Sequence, residues 1–438
     1  MSRIAVTGSI AATLASVVGA TLGACTETRP PLEGTQSIEV EMVSPADPGT
    51  VENRLPDSQR TLIVNLTARN AEGEVDTSFT ADIRVYAQFL GTLTPAIDKQ
   101  PLVTIPMVNG VAMNTTITLP STVLGSTTLW FDNGTGLGPE YEFGRVAGSS
   151  PTLWYRDPFV VDLQRPPCDV PPSNCATQLD ALSQGPLNDK QVRVGTSRHG
   201  TQGTLVVTSI FSQGYTVSDV KCATGGDKPT PPCTTPPQPD NDADPTNDVV
   251  GYDHMMVFTF SSPRDQYGRP LVVGEVIQSF AGGLSEFNGL SEIGFPRSFT
   301  FSPDRDTPAH VDPNLLPPPE LFSPTWFQPL SNPDGRINFE RSEAGAIRIN
   351  NATVCPIDDG PEGTYSRFKQ WTIDPSPTGT CTGNNLISLI TAGTDFTTDP
   401  HTLVGRKLAS VVGIVRPVSI GSFNVWIVYP RGAADISL

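Results

Sequence analysis

VGEVIQSFAGGLSEFNGLSEIGFP, residues 273 to 296, decides the reading of this chain because it recurs. Val273-Gly274, Ser279-Phe280 and Gly282-Gly283-Leu284 are matched by Val404-Gly405, Ser410-Val411 and Gly413-Ile414-Val415 at a constant offset of 131. After a turn, the copies close alike, in GLSEIGFPR (289 to 297) and GSFNVWIVYPR (421 to 431). A shared spacing of glycines and apolar residues over about 25 positions marks two related units. They are read as β-rich domains over 191–300 and 340–438.

The surrounding composition agrees. The chain has 438 residues with 43 prolines and 39 glycines, and only 17% of them are charged. Short apolar runs between turn formers are the pattern of an all-β protein with long loops. At about 150 residues per domain the length predicts about three domains. The third is residues 36–160, where SIEVEMV (37 to 43), TLIVNLTAR (61 to 69), ADIRVYAQFL (81 to 90), GVAMNTTITLP (110 to 120) and GSTTLWFDN (125 to 133) alternate as strands of a β-sandwich. Residues 161–190, with RPPCDVPPSNC, and the Pro-rich 301–339 read as linkers.

Two resemblances refine this. The pieces LTARNAEGEV, GVAMNTTITLP and GSTTLWF resemble bacterial immunoglobulin-like repeats of surface proteins, which implies an immunoglobulin-like sandwich with a spacing role. The two repeated units resemble OB-fold-like small β-barrels similar to those accompanying secreted bacterial nucleases. A long bent first strand (203 to 220) and a third strand (254 to 262) would precede a closing hairpin. Gly274, Gly282, Glu286, Phe287, Gly289 and Leu290 fit the hairpin pattern, with Glu275 in place of its usual aspartate. The second copy departs from it, lacking the Glu-Phe pair and carrying Arg406 after its first glycine. Without the resemblance, the same glycines read as bends and bulges of a five-stranded barrel. The expected fold is all-β: a sandwich followed by two OB-like barrels.

At the N-terminus, Arg3 precedes an uncharged stretch from Ile4 to Ala24, the form of a signal peptide over 1–24. Leu22-Gly23-Ala24-Cys25 resembles the bacterial lipoprotein box, which implies a diacylglycerol on Cys25 and a tether over 25–35. Thr26 after the cysteine implies the outer membrane of a bacterial cell envelope, on its periplasmic or surface face. The membrane is thus an expected partner. Removing 1–24 removes one arginine and no acid, taking the net charge from −17 to −18. Such a charge repels phosphate backbones and disfavours nucleic acid.

Six cysteines follow Cys25: Cys168, Cys175, Cys222, Cys233, Cys355 and Cys381. Six allow 15 pairings, of which sequence proximity favours 168 with 175, 222 with 233 and 355 with 381. No Cys-x-x-Cys occurs, and His199, His254, His310 and His401 are far apart in sequence, which argues against a zinc or redox centre.

Candidate sites are few. Asp240, Asp242, Asp244 and Asp248 lie in one acidic loop with the oxygen spacing of a structural calcium site. Pro245 and Gly251 replace the EF-hand's glycine and terminal glutamate, so a solvated acidic loop is the alternative. Otherwise no cofactor is implied. Aromatic side chains on one barrel face stack on bases or sugars. The candidates are Phe211, Tyr215, Phe258, Phe260 and Phe287 in the first barrel and Trp371, Phe423, Trp426 and Tyr429 in the second. Residues 191–300 hold 7 basic against 11 acidic residues and 301–438 hold 10 against 14, with no basic cluster for phosphates. GTSRHG (195 to 200) places Ser197 near His199, but the hydrolase elbow Gly-x-Ser-x-Gly fails at His199. Asp358-Asp359, Asp157 and Asp162 read as turn residues. No Walker loop, dinucleotide fingerprint or His-Glu-x-x-His helix occurs.

The expected function is a non-enzymatic, lipid-anchored envelope protein that binds a protein or glycan or acts as a scaffold. The alternatives are a nucleic-acid-binding or nuclease-accessory protein and a hydrolase whose site the sequence hides.

Overall fold

The computed structural model describes residues 34–92, 101–134, 146–169, 175, 185–223, 230–235, 251–307, 310–329, 332, 335–420 and 423–438. Cys25 and the acidic loop with Asp240, Asp242, Asp244 and Asp248 lie outside them.

The N-terminal unit is a sandwich. One sheet holds β1 (Ser37–Ser44), β2 (Thr61–Arg69) and, beyond β3 (Ala81–Phe89), β4 (Gly91–Thr92) and β5 (Val103–Met107), the strand β6 (Val111–Thr118). The facing sheet runs β5, β3, β7 (Ser126–Asp132) and β8 (Ala147–Ser149), with β9 (Leu153–Trp154) added to β7. Period-two alternation explains it: Leu62, Val64, Leu66 and Ala68 of β2 are buried against Ile83, Val85, Leu129 and Phe131 of the other sheet. Short β4 leaves this unit and pairs with β10 (Lys190–Val194) of the next. Lys190 Nζ donates to the Phe89 carbonyl at 3.1 Å and lies 4.2 Å from that ring's centre.

Between them, helix α1 (Val160–Gln164) buries Val160 and Leu163 in the first barrel's core. Asp162 accepts the Phe159 N–H at 2.7 Å and pairs with Arg156 at 2.5 Å, while Asp157 pairs with Arg54 at 3.2 Å. These carboxylates cap the helix and tie the junction.

The first barrel has five strands, β11 (Gly203–Phe211), β12 (Gly214–Ala223), β14 (His254–Phe258), β15 (Val276–Phe287) and β16 (Leu290–Thr300), with β13 (Thr230–Thr234) added to β12. Pairing runs β11-β12-β14-β16-β15 and back to β11, antiparallel except for β14 beside β16. That is the OB-like closure. Residues 203–220 are not one bent strand, because the polar Ser212-Gln213 turn folds them into the hairpin β11–β12.

The second barrel repeats this order. Its first strand is broken into β18 (Ala346–Asn350) on β22 (Ser410–Ile420) and β19 (Thr353–Val354) on β20 (Gln370–Asp374). β21 (Ile387–Ile390) lies parallel to β23 (Phe423–Tyr429), which closes on β22, and β24 (Ile436–Ser437) adds to β22. The repeated glycines do equivalent work. A Cβ on Gly282 would stand 2.6 Å from the Gly294 carbonyl oxygen, and one on Gly413 would stand 2.8 Å from that of Tyr429. Both let the fourth and fifth strands approach closely.

Residues 301–339 are a packed strap. Leu315 is buried beside the Cys222–Cys233 disulfide, β17 (Glu320–Leu321) pairs in parallel with β18, and Phe322, Trp326 and Phe339 of α2 (Ile337–Arg341) enter the second core. All three disulfides join neighbours in sequence: Cys168–Cys175, Cys222–Cys233 and Cys355–Cys381.

Candidate functional site

Strands β11, β12 and β14 form the barrel face on which OB-type ligands bind. Along β12, Tyr215 and Val217 point into the core, so Thr216 and Ser218 point out, and along β14 His254 and Met256 do the same. Yet these four outward residues are all buried. The second barrel covers them, with Ala344, Ala346, Ile414, Arg416, Tyr429 and Arg431 on its side.

Among the described residues, this cleft holds two cavities. The larger, about 290 Å3, is lined by Phe211, Thr216 and Met256 from the first barrel and by Thr394, Arg416 and Tyr429 from the second. The smaller, about 180 Å3, lies between Ser218, His254, Pro317 to Pro319 and Ala346. Arg431 borders both and is held at 2.8 Å by Asp435. Arg416 is different: its guanidinium lies 5.0 Å from the Tyr429 ring centre and 5.7 Å from that of Phe211, one from each barrel.

Ser218 Oγ and His254 Nδ1 are 2.7 Å apart in the smaller cavity's wall. Burial, with the Arg198 charge adding to it, pulls the His254 pKa down to about 4. The ring is therefore neutral at physiological pH and a poor general base there.

Behind this wall is a buried ionic cluster. Ser197, Arg198 and His199 occupy the turn before β11 and are all buried, so the Ser-His pair read in GTSRHG faces inward. The Arg198 N–H donates to Asp219 Oδ2 at 2.8 Å, and its guanidinium lies 2.7 Å from Asp253 Oδ1. Burial pushes Asp219 up to about 6, opposed by hydrogen bonds from Ser197 and Arg198, and it pushes Asp253 well above the carboxylate range.

A second carboxyl cluster sits where α2's end meets β16. The Ser291 N–H donates to Glu343 Oε1 at 3.0 Å, and Ser291 Oγ donates to Glu286 Oε2 at 2.9 Å. Burial raises Glu286 to about 7 and Glu343 well above its usual range, the second partly through Glu286 itself. Since burial raises both groups above the ordinary carboxyl value of 4.5, their contribution to barrel docking is complete below about 4.5, and that of Glu286 is lost as pH rises through about 7. Urea midpoints should fall between pH 5 and pH 8.5 by the equivalent of about 2 kcal/mol, and Glu286→Gln should flatten that slope. A pH-independent midpoint in the parent protein would remove this reading.

The aromatic residues expected on a binding face divide three ways. Tyr215 and Trp371 are buried in the two cores, with Tyr215 Oη and Ser298 Oγ 2.6 Å apart and Trp371 Nε1 donating to Thr391 Oγ1 at 3.3 Å. Trp426 stacks on Phe339 at 5.2 Å beside the second core. Tyr215 and Trp371 present no open face, because alternation turns them inward, while half-buried Trp426 is taken up in strap packing. The Phe423 side chain lies outside the described residues. Phe211 and Tyr429 line the cleft. Phe258 continues the outward row of β14 to Phe260, 4.6 Å away, and Phe260 meets Phe295 at 4.8 Å on the open surface. Phe287, 60% exposed, sits at the hairpin tip. Asp359 and Asp399 both contact the His401 ring, at 3.1 and 2.7 Å.

Sequence reading missed Thr208, Thr216, Ser218, His254 and Arg416. A signal was present in YTVSDV, where the outward positions carry uncharged Thr and Ser rather than the charged residues of a solvent-facing strand. No protein-family model matches the chain, and neither curated protein sequences nor solved structures give a significant match.

Proposed function

We propose that this chain is a non-catalytic binding protein of the bacterial cell envelope, anchored through lipid on Cys25, that takes a small glycan unit in the cleft between its two barrels. One observation carries the binding reading: the outward face of β11, β12 and β14 is roofed by the second barrel, leaving cavities of about 290 and 180 Å3. Together they are of the size of a small ligand pocket. A roofed face leaves no open groove for a polymer, and the net charge of −17 opposes polyphosphates, so the nucleic-acid alternative has less support. The neutral His254 beside Ser218 and the inward-facing Ser197 speak against the hydrolase alternative.

The test is calorimetric titration of detergent-extracted full-length protein with a panel of monosaccharides. Saturable binding to at least one is expected, and Ala392→Trp, which adds bulk at an exposed position on the cleft's rim, should weaken it tenfold or more. Turnover of an ester, phosphodiester or glycosidic substrate by the same preparation would overturn the reading.

A further inference from the structure

Arg416 lies on the wall of the larger cavity. Within ion-pair distance it has no carboxylate among the described residues; its contacts are the rings of Tyr429 and Phe211. The charges that face it are Glu292 and Glu343, which it influences from farther away. Burial raises both of those carboxyls, and the Arg416 charge opposes the rise in each. Arg431, the other cation on the cavity wall, is neutralised by two-pronged contact with Asp435, at 2.9 and 2.8 Å. The cavity wall therefore carries one guanidinium with no carboxylate at ion-pair distance among the described residues, in a chain that is otherwise strongly acidic. Arg416 is half-buried, and a partly desolvated cation with no counter-ion at contact gains from pairing with a ligand anion.

The rest of the wall limits the anion's shape. Phe211 and Tyr429 offer ring faces, and Ser209, Ser212, Thr216 and Thr394 offer hydroxyls. At about 290 Å3 the cavity holds about one ring. Flat apolar faces with hydroxyls around them suit the C–H face and hydroxyl rim of a pyranose, and a guanidinium fork suits a carboxylate. Resting on the binding role proposed above, we infer that the cleft between the barrels is a site for a one-ring sugar acid of the hexuronate class, with Arg416 pairing the carboxylate.

Three probes test this on the full-length protein: glucuronate, its neutral methyl ester and glucose, titrated calorimetrically at pH 7. Glucuronate should bind about tenfold or more tighter than either neutral probe, the expected worth of a charge-assisted pair. Arg416→Gln should erase that preference while leaving weak binding of glucose, and Arg416→Lys should keep part of it. The ester comparison needs no variant, so it decides the matter even if Arg416→Gln fails to fold. Equal binding of acid and ester would overturn the inference and leave the cleft's binding role intact. Binding of none of the three, with a neutral monosaccharide from the wider panel bound and blocked by Ala392→Trp, would do the same. Binding of no monosaccharide at all would overturn both.

Discussion

Phe339→Ala should lower the unfolding free energy by about 3–5 kcal/mol, the usual cost of deleting a fully buried aromatic side chain. Phe339 is the hub at which the strap joins the second barrel. Trp326 and Trp426 lie at 5.2 Å from it, Phe327 at 5.7 Å and Phe322 at 5.9 Å, measured between ring centres. Each such pair contributes about 0.5–1.5 kcal/mol beyond the area buried. The cavity would open where three separate segments meet, so neighbouring rings cannot collapse into it without moving the strap. Limited proteolysis should then cut within residues 310–329 much faster than in the parent protein. Phe368→Ala, at a half-exposed ring, provides the contrast and should change stability by no more than about 0.5 kcal/mol. A loss below 1 kcal/mol for Phe339→Ala, with cleavage unchanged, would show that residues 301–339 are the loose linker their proline content suggested.

Arg198→Ala should cost a similar amount, about 3–5 kcal/mol, for an electrostatic reason. Arg198, Asp219 and Asp253 are all buried in the first barrel's wall; the Arg198 guanidinium pairs with Asp253, and its backbone N–H donates to Asp219. Removing the side chain strands Asp253 in low dielectric and takes a nearby charge from Asp219, which keeps its hydrogen bonds from Ser197 and the backbone. Burial already raises both carboxyls, Asp219 to about 6; the Arg198 charge is the main restraint on Asp253, and for Asp219 it adds to hydrogen bonds from Ser197 and the Arg198 backbone. The sign of the pH effect follows. Groups raised above their unfolded values stabilise the fold most at low pH and lose that contribution as pH climbs through the folded value. The variant should therefore be closest to the parent near pH 4 and fall furthest behind above pH 6, as read from guanidinium midpoints. Adding Asp253→Asn should recover part of the loss, because a neutral amide replaces the stranded acid. A pH-independent deficit with no recovery in the double variant would point to lost packing instead.

Much of the architecture was legible in the linear chain. Alternation in TLIVNLTAR places Leu62, Val64, Leu66 and Ala68 on one buried face, because side chains of a strand alternate with a period of two. The offset between Gly282 and Gly413 marks two barrels because a close approach of the fourth and fifth strands has no room for a Cβ. Proximity paired the six cysteines correctly, since each pair closes a local turn or a cross-strand neighbour such as Cys222 and Cys233.

What the sequence alone determined is therefore the local and periodic part: strands, turns, the repeat, and the three disulfides. Docking between the parts was decided only in three dimensions. Nothing in the composition of residues 301–339 distinguishes a loose linker from a strap whose Trp326 and Phe339 enter a core. Nothing around Thr216 or Ser218 announces a second barrel above them, nor does the position of Arg416 place it between Phe211 and Tyr429. The physical reason is that strand periodicity is set by neighbours along the chain. Burial of an outward face, and the charge brought against it, depends on residues about 200 positions away, whose arrival no local pattern encodes.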